Sequence, residues 1–186
     1  LIPTPQTAFE RKQILMLGSL KLYKSPLEFI VLAQKLPQFT FELVVNDTQE
    51  NINGFMKEHK INICKNLTIY PQQNDVVPFY NQASLVLNLS DKKQVVETFG
   101  LTALEAMSAG LPVIVPAEGG IAEMVVDGEN GYKIDVQNLN QIAECIKTIL
   151  SDETLYMKLA QNALAYSKRF SEAKMVNCIE MILNRK

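Results

Sequence analysis

The chain has 186 residues, 47% of them apolar and 20% charged, with a formal net charge of −2. That is material for one full domain with a real core, and it excludes both a disordered tail and a pair of large domains. Acids and bases are interspersed along the chain, which argues against a nucleic-acid-binding surface. The three cysteines, Cys64, Cys145 and Cys178, are far apart, and the single histidine, His59, lies in a polar segment. Neither a disulfide framework nor a zinc spacing is present, and a reducing cytoplasm is the simplest home. No apolar run approaches the roughly 18 residues that a membrane span needs. The first residue is not methionine, and 1–12, opening "LIPTPQ" with its prolines, reads as a linker or lead-in. The expectation is a piece of a longer protein.

Along the chain, "QILMLG" (13–18) is a short apolar run stopped by glycine, as in a buried strand. In "PLEFIVLAQKLP" the apolar Leu27, Ile30, Val31, Ala33 and Leu36 recur at helical spacing, with Pro26 in the first turn. A second strand is predicted at 41–45, a polar helix at 48–60, a third strand at 66–70, a short helix or turn in "VVPFYNQA", and a fourth strand at 84–90. The spacing predicts a helix over 99–109, ended by Gly110 and Pro112. "LPVIVP" and "YKID" give a fifth and a short sixth strand. After Leu139 the pattern is helical, with Ser151 and Ser171 as N-caps and 171–186 as a last helix. Apolar strands alternating with helices predict an α/β fold over 13–170: a Rossmann-like parallel sheet of about six strands, helices on both faces and a helical C-terminal end. Such sheets bind ligands at the carboxyl ends of their strands, here the loops after Leu17, Val45, Tyr70, Leu89 and Val115.

The stretch "ETFGLTALEAMSAGLPVIVPAEGG" sets two carboxylates, Glu97 and Glu105, seven residues apart around a helix start. The amides of Gly100, Leu101 and Thr102 would have no intrahelical partner there and, with the helix dipole, would form an anion site suited to phosphate. A rise of 1.5 Å per residue bounds the two acids at roughly 12 Å, comparable to a sugar, a diphosphate and a ribose in sequence. Carboxylates accept hydrogen bonds from vicinal hydroxyls. The alternative is a pair of solvated helix acids, and Lys24 read by itself is a surface lysine.

This string, continued by "EGGIAEMVVDGENG", resembles the sugar-nucleotide half of retaining GT-B-fold glycosyltransferases (glycosyl transferases group 1), closely over 90–131 and loosely elsewhere. The resemblance implies one half of a GT-B fold: the C-terminal, donor-binding domain of an enzyme that moves a sugar from a nucleoside diphosphate to an acceptor hydroxyl with retention. It implies that Glu97 and Lys24 are the catalytic pair, at the sugar and the diphosphate. Phe99, Gly100, Leu101 and Thr102, with Gly18 and Ser19, would meet sugar and diphosphate; Glu105 would hold the ribose, and Tyr70 to Gln72 the base. Gly119, Gly120 and Glu123 would back the sugar site. No metal and no further cofactor is implied. An N-terminal acceptor domain, missing from this chain, would be the partner of 171–186. A cytoplasmic location, at the inner face of a membrane through that missing half, fits glycan or glycolipid synthesis.

Two departures stand out. Ser19 occupies the position where the family has arginine, leaving Lys21, Lys92 or Lys93 as substitutes or donor affinity low. The loop "DKKQVV" between Ser90 and Glu97 is longer than the family's. They keep open a non-catalytic nucleotide- or partner-binding domain and, within enzymes, a sugar-nucleotide epimerase half.

Overall fold

The computed structural model describes residues 4–170; the helix expected at 171–186, with Ser171 and Cys178, lies outside the described residues. Six strands are present: β1 (Gln13–Gly18), β2 (Thr40–Val45), β3 (Leu67–Tyr70), β4 (Leu85–Leu87), β5 (Val113–Val115) and β6 (Gly131–Lys133). They form one sheet in the order β3-β2-β1-β4-β5-β6, and every pairing is parallel. Ile14, Leu15, Met16, Leu85, Val86, Leu87, Val113, Ile114 and Val115 are all buried. Strands covered on both faces are therefore unbroken apolar runs, which is why they were legible as such.

The helices fall between them: α2 (Pro26–Lys35) after β1, α3 (Gln49–Glu58) after β2, α4 (Val77–Gln82) after β3, α5 (Leu101–Ser108) after β4 and α6 (Gly120–Glu123) after β5. Strand order reverses between β1 and β4, so right-handed crossovers put α2 and α3 on one face and α4 and α5 on the other. The reversal leaves a crevice at the carboxyl ends of β1 and β4. Two longer helices close the domain, α7 (Leu139–Ser151) against α2 and α8 (Glu153–Ser167) against α5. The cap of α8 is Asp152, whose carboxylate accepts from the Leu155 amide at 3.0 Å, while the expected cap Ser151 is the last residue of α7. A carboxylate reaches the third amide and also favours the positive helix end.

The segment read as a linker, 1–12, is instead ordered as α1 (Pro5–Arg11). Thr4 caps it, and Pro5 sits in the first turn, where the missing amide costs nothing. A helix this short depends on docking. Phe9 lies 5.2 Å from the Tyr156 ring, and the Ala8 carbonyl accepts from Ser84 Oγ at 2.6 Å. Arg11 bonds the Asn81 carbonyl, and Lys12 Nζ donates to the Leu150 carbonyl at 2.5 Å. Tyr156, fully buried on α8, donates its hydroxyl to the Ser84 carbonyl at 2.8 Å, tying α8 to the start of β4. Tyr156→Phe is expected to lower stability by about 1–3 kcal/mol, the cost of a buried hydrogen bond. An unchanged urea midpoint would show that this bond contributes nothing. Among the described residues no helix is long and apolar enough to cross a membrane.

Candidate functional site

A cavity of about 410 Å³ opens in the crevice. Its walls come from the ends of β1 (Gly18), β2 (Asn46) and β4 (Asn88, Ser90), from the loop after β3 (Gln72, Gln73, Val76) and from 97–102. Four of the five loops singled out from the strand pattern meet there; the loop after Val115 lies elsewhere.

One end of the cavity is a three-residue polar cluster. Lys24 ends a 3-10 turn, Leu22–Lys24, and Ser25 after it adopts a left-handed conformation that turns the chain into α2. Lys24 Nζ donates to Glu97 Oε2 at 2.5 Å and to Ser90 Oγ at 3.3 Å, and Ser90 Oγ donates to the same Glu97 oxygen at 3.0 Å. Burial pushes the Glu97 carboxyl up, but the bonds from Lys24 and Ser90 outweigh it and hold the group below its usual range. Glu97 is therefore a carboxylate at neutral pH, its Oε2 held by Lys24 and Ser90, with Asn88 adding a further side-chain hydrogen bond.

The next wall is the N-terminus of α5. The helix begins at Leu101, two residues later than expected, with Gly100 at the cap and no side chain bonding the first amides. The first-turn N–H groups of Leu101 and Thr102 are thus free beside the cavity, and no acid occupies the first turn. Gly100 also allows close packing: a Cβ there would come within 2.2 Å of the Ile121 side chain. Gly119 and Gly120 hold the facing loop against 97–98 in the same way, so their position behind this wall is a packing one. Glu123 is exposed and takes no part in the cavity lining.

Of the residues proposed from sequence, Gly18, Lys24, Gln72, Glu97, Phe99, Gly100, Leu101 and Thr102 line the cavity. Ser19, Tyr70 and Glu105 do not. The Tyr70 phenol turns away, donating to Glu42 Oε1 at 3.1 Å with its ring edge-on to Phe79. Glu105 lies one turn below the rim of α5, where the buried Tyr80 hydroxyl donates to its Oε2 at 2.7 Å. Lys92 lies outside the cavity lining and bridges Glu118 at 2.5 Å and Asp135 at 2.8 Å, fastening the long loop to the end of β6. Asp91 completes that anchor by accepting from Gln137 at 2.6 Å. Lys21 and Lys93 are exposed and outside the cavity lining.

Asn46, Gln73, Val76 and Asn88 were missed among the lining residues, and Tyr80 beneath it. Asn46 and Asn88 directly follow apolar strand runs, a signal available in the sequence; Tyr80 carried none. Among the described residues, no group of three or more His, Cys, Asp or Glu is placed to hold a metal ion.

The family model described as glycosyl transferases group 1 matches residues 4–166. The N-acetyl-alpha-D-glucosaminyl L-malate synthase of Bacillus anthracis is 30% identical over 141 residues, 75% of this chain and 36% of that protein. The crystal structure of Anabaena HepE in complex with UDP and glucose superposes with a TM-score of 0.80 at 25% identity, covering 97% of this chain and 50% of that one. A C-terminal domain of a glycosyl transferase group 1 family protein from Francisella tularensis gives a TM-score of 0.71 at 27% identity, covering 90% of this chain and 92% of that one. The chain spans half or less of the length of the curated relatives it matches first.

Proposed function

The chain belongs to the glycosyl transferases group 1 family, and on that premise we propose that its cavity holds the nucleoside diphosphate sugar of a retaining glycosyltransferase. The observation that carries the reading is the junction, in one cavity, of an open helix N-terminus with the Lys24–Ser90–Glu97 cluster. The diphosphate takes the Leu101 and Thr102 amides and Lys24. Glu97 accepts from hydroxyls of the sugar, Glu105 from those of the ribose, and the base lies along Gln72, Gln73 and Val76. HepE, bound to UDP and glucose, supports uracil as the base.

In the reaction the bond between the anomeric carbon and the diphosphate oxygen breaks, and the acceptor hydroxyl takes that place with configuration kept. The acceptor proton leaves with the diphosphate. Negative charge grows on the leaving oxygen, and fixed amides and an ammonium group stabilise it most in a site shielded from water. These two sources of positive charge support transfer without a metal ion. The acceptor belongs to a second domain outside this chain, in glycan or glycolipid synthesis.

Calorimetric titration of the chain with UDP, GDP and ADP tests the reading. UDP is expected to bind, and Glu105→Ala to weaken it by about tenfold or more, the worth of hydrogen bonds to a charged group. If no nucleotide binds, or if Glu105→Ala binds UDP like the wild type, the non-catalytic alternative replaces this one.

A further inference from the structure

A polar contact beneath the cavity involves a residue to which neither the motif nor the resemblance gives a role. Val76 lines the cavity and caps α4; Tyr80 is four residues further, one turn into the protein. Thr102 lines the cavity from α5, and Glu105 is three residues further on the same face. The two helices therefore present Tyr80 and Glu105 to each other one turn below the cavity lining.

Tyr80 is only 4% exposed. Its hydroxyl donates to Glu105 Oε2 at 2.7 Å, with the Thr102 carbonyl at 3.3 Å as a second, weaker acceptor. Among the described residues, Glu105 has no ion pair and no other side-chain hydrogen bond. The carboxylate has several lone-pair sites, so one bond to Oε2 leaves Oε1 free. A glutamate on an open helix face samples several rotamers, and ordering it upon binding costs affinity. Here the order exists beforehand. Burial raises the phenol far above its ordinary titration range, with the neighbouring carboxylate adding to the effect, so it remains a donor at any working pH.

We infer that Tyr80 is a positioning residue for nucleotide recognition: its hydroxyl fixes one oxygen of Glu105 so that the other meets the ribose diol. This rests on the nucleotide-sugar reading of the cavity. It also makes ribose discrimination a property of two helices, α4 and α5, rather than of the glutamate motif alone.

The probes are UDP and 2′,3′-dideoxy-UDP, titrated calorimetrically against the chain, Tyr80→Phe, Glu105→Ala and the double variant. The wild type is expected to prefer UDP by about tenfold or more, and Tyr80→Phe to lose about five- to tenfold in UDP affinity through misorientation of one charged acceptor. Affinity for the dideoxy analogue, which presents nothing to Glu105, should stay unchanged. In a Glu105→Ala background the Tyr80 substitution should have no further effect on either ligand. An equal loss for both nucleotides would overturn the inference and make Tyr80 a purely structural support of α5. UDP affinity unchanged in Tyr80→Phe would also overturn it, as would a wild type that binds both nucleotides equally. A wild type that binds neither nucleotide would refute the nucleotide-sugar reading itself, and the inference with it.

Discussion

Gly120→Ala is expected to lower stability by about 3 kcal/mol and to abolish nucleotide binding, because an added methyl there meets the tightest approach of any glycine in the chain. A Cβ at Gly120 would lie 1.9 Å from the Thr98 carbonyl oxygen and 2.9 Å from its carbon. Both are backbone atoms, so no side chain can rotate aside. Relief requires the two segments to separate by about 1 Å, a displacement close packing resists. Segment 97–100 carries Glu97 and leads into the open end of α5, so the ligand contacts move with it. In a chain of this size the melting temperature should fall by about 6–12 °C. Gly54→Ala is the control: it sits inside α3 with nothing within 4 Å, and alanine there should stabilise by about 0.5–1 kcal/mol. A Gly120→Ala protein that melts with the wild type would refute the packing argument.

On the proposed donor site, Lys24→Ala should weaken UDP by about 10–100-fold and leave uridine binding unchanged, because only the diphosphate would make charge-assisted bonds to the ammonium group. In a full-length transferase containing this domain, kcat should fall by about 10²–10³, the usual effect of removing one donor to developing charge. The complementary change has the opposite sign. Lys24 is engaged by Glu97, so Glu97→Gln loosens that engagement and would remove a like charge from beside the proposed phosphate positions. UDP affinity should then rise while preference for UDP-sugar over UDP declines. The pair also has a defined pH window. The Glu97 carboxyl is held below its unfolded value, so the associated stability is fully present above that value and disappears as pH falls through the lower, folded one. An equal loss of UDP and uridine binding in Lys24→Ala would confine the lysine to a structural role.

What could be read beforehand followed from locality. A strand buried on both faces leaves an apolar run, and a helix ended by Gly110 leaves its mark within a few residues. Both signals survive in the sequence. α1 was read as linker because Pro5 suggests a break, although Thr4-Pro5 is also a sound helix start; what decides between them is Phe9 docking on Tyr156, which no local pattern shows. The same limit explains Tyr70 and Tyr80. The first was expected at the base from the resemblance alone, but its partner Glu42 lies on the neighbouring strand β2. The second had no evident role because Glu105 lies 25 residues away and meets it only when α4 and α5 are placed together. Lys92 stood near the site in sequence and was drawn off by Glu118 and Asp135, acids brought close by β5 and β6.

The Lys24–Glu97 contact has a kinetic consequence. The two charges cancel at close range, and the chain as a whole carries a net −2. An approaching dianion therefore meets no extended attractive field; helix dipoles act only within about a turn of their ends. On the nucleotide-sugar reading, capture is expected to proceed at the unsteered rate and to respond little to ionic strength, unlike that of a protein whose cleft is open and cationic. On that reading, differences in affinity among nucleotides are then differences in how long each one stays, with residence set after arrival, when Lys24 would exchange its carboxylate for a phosphate.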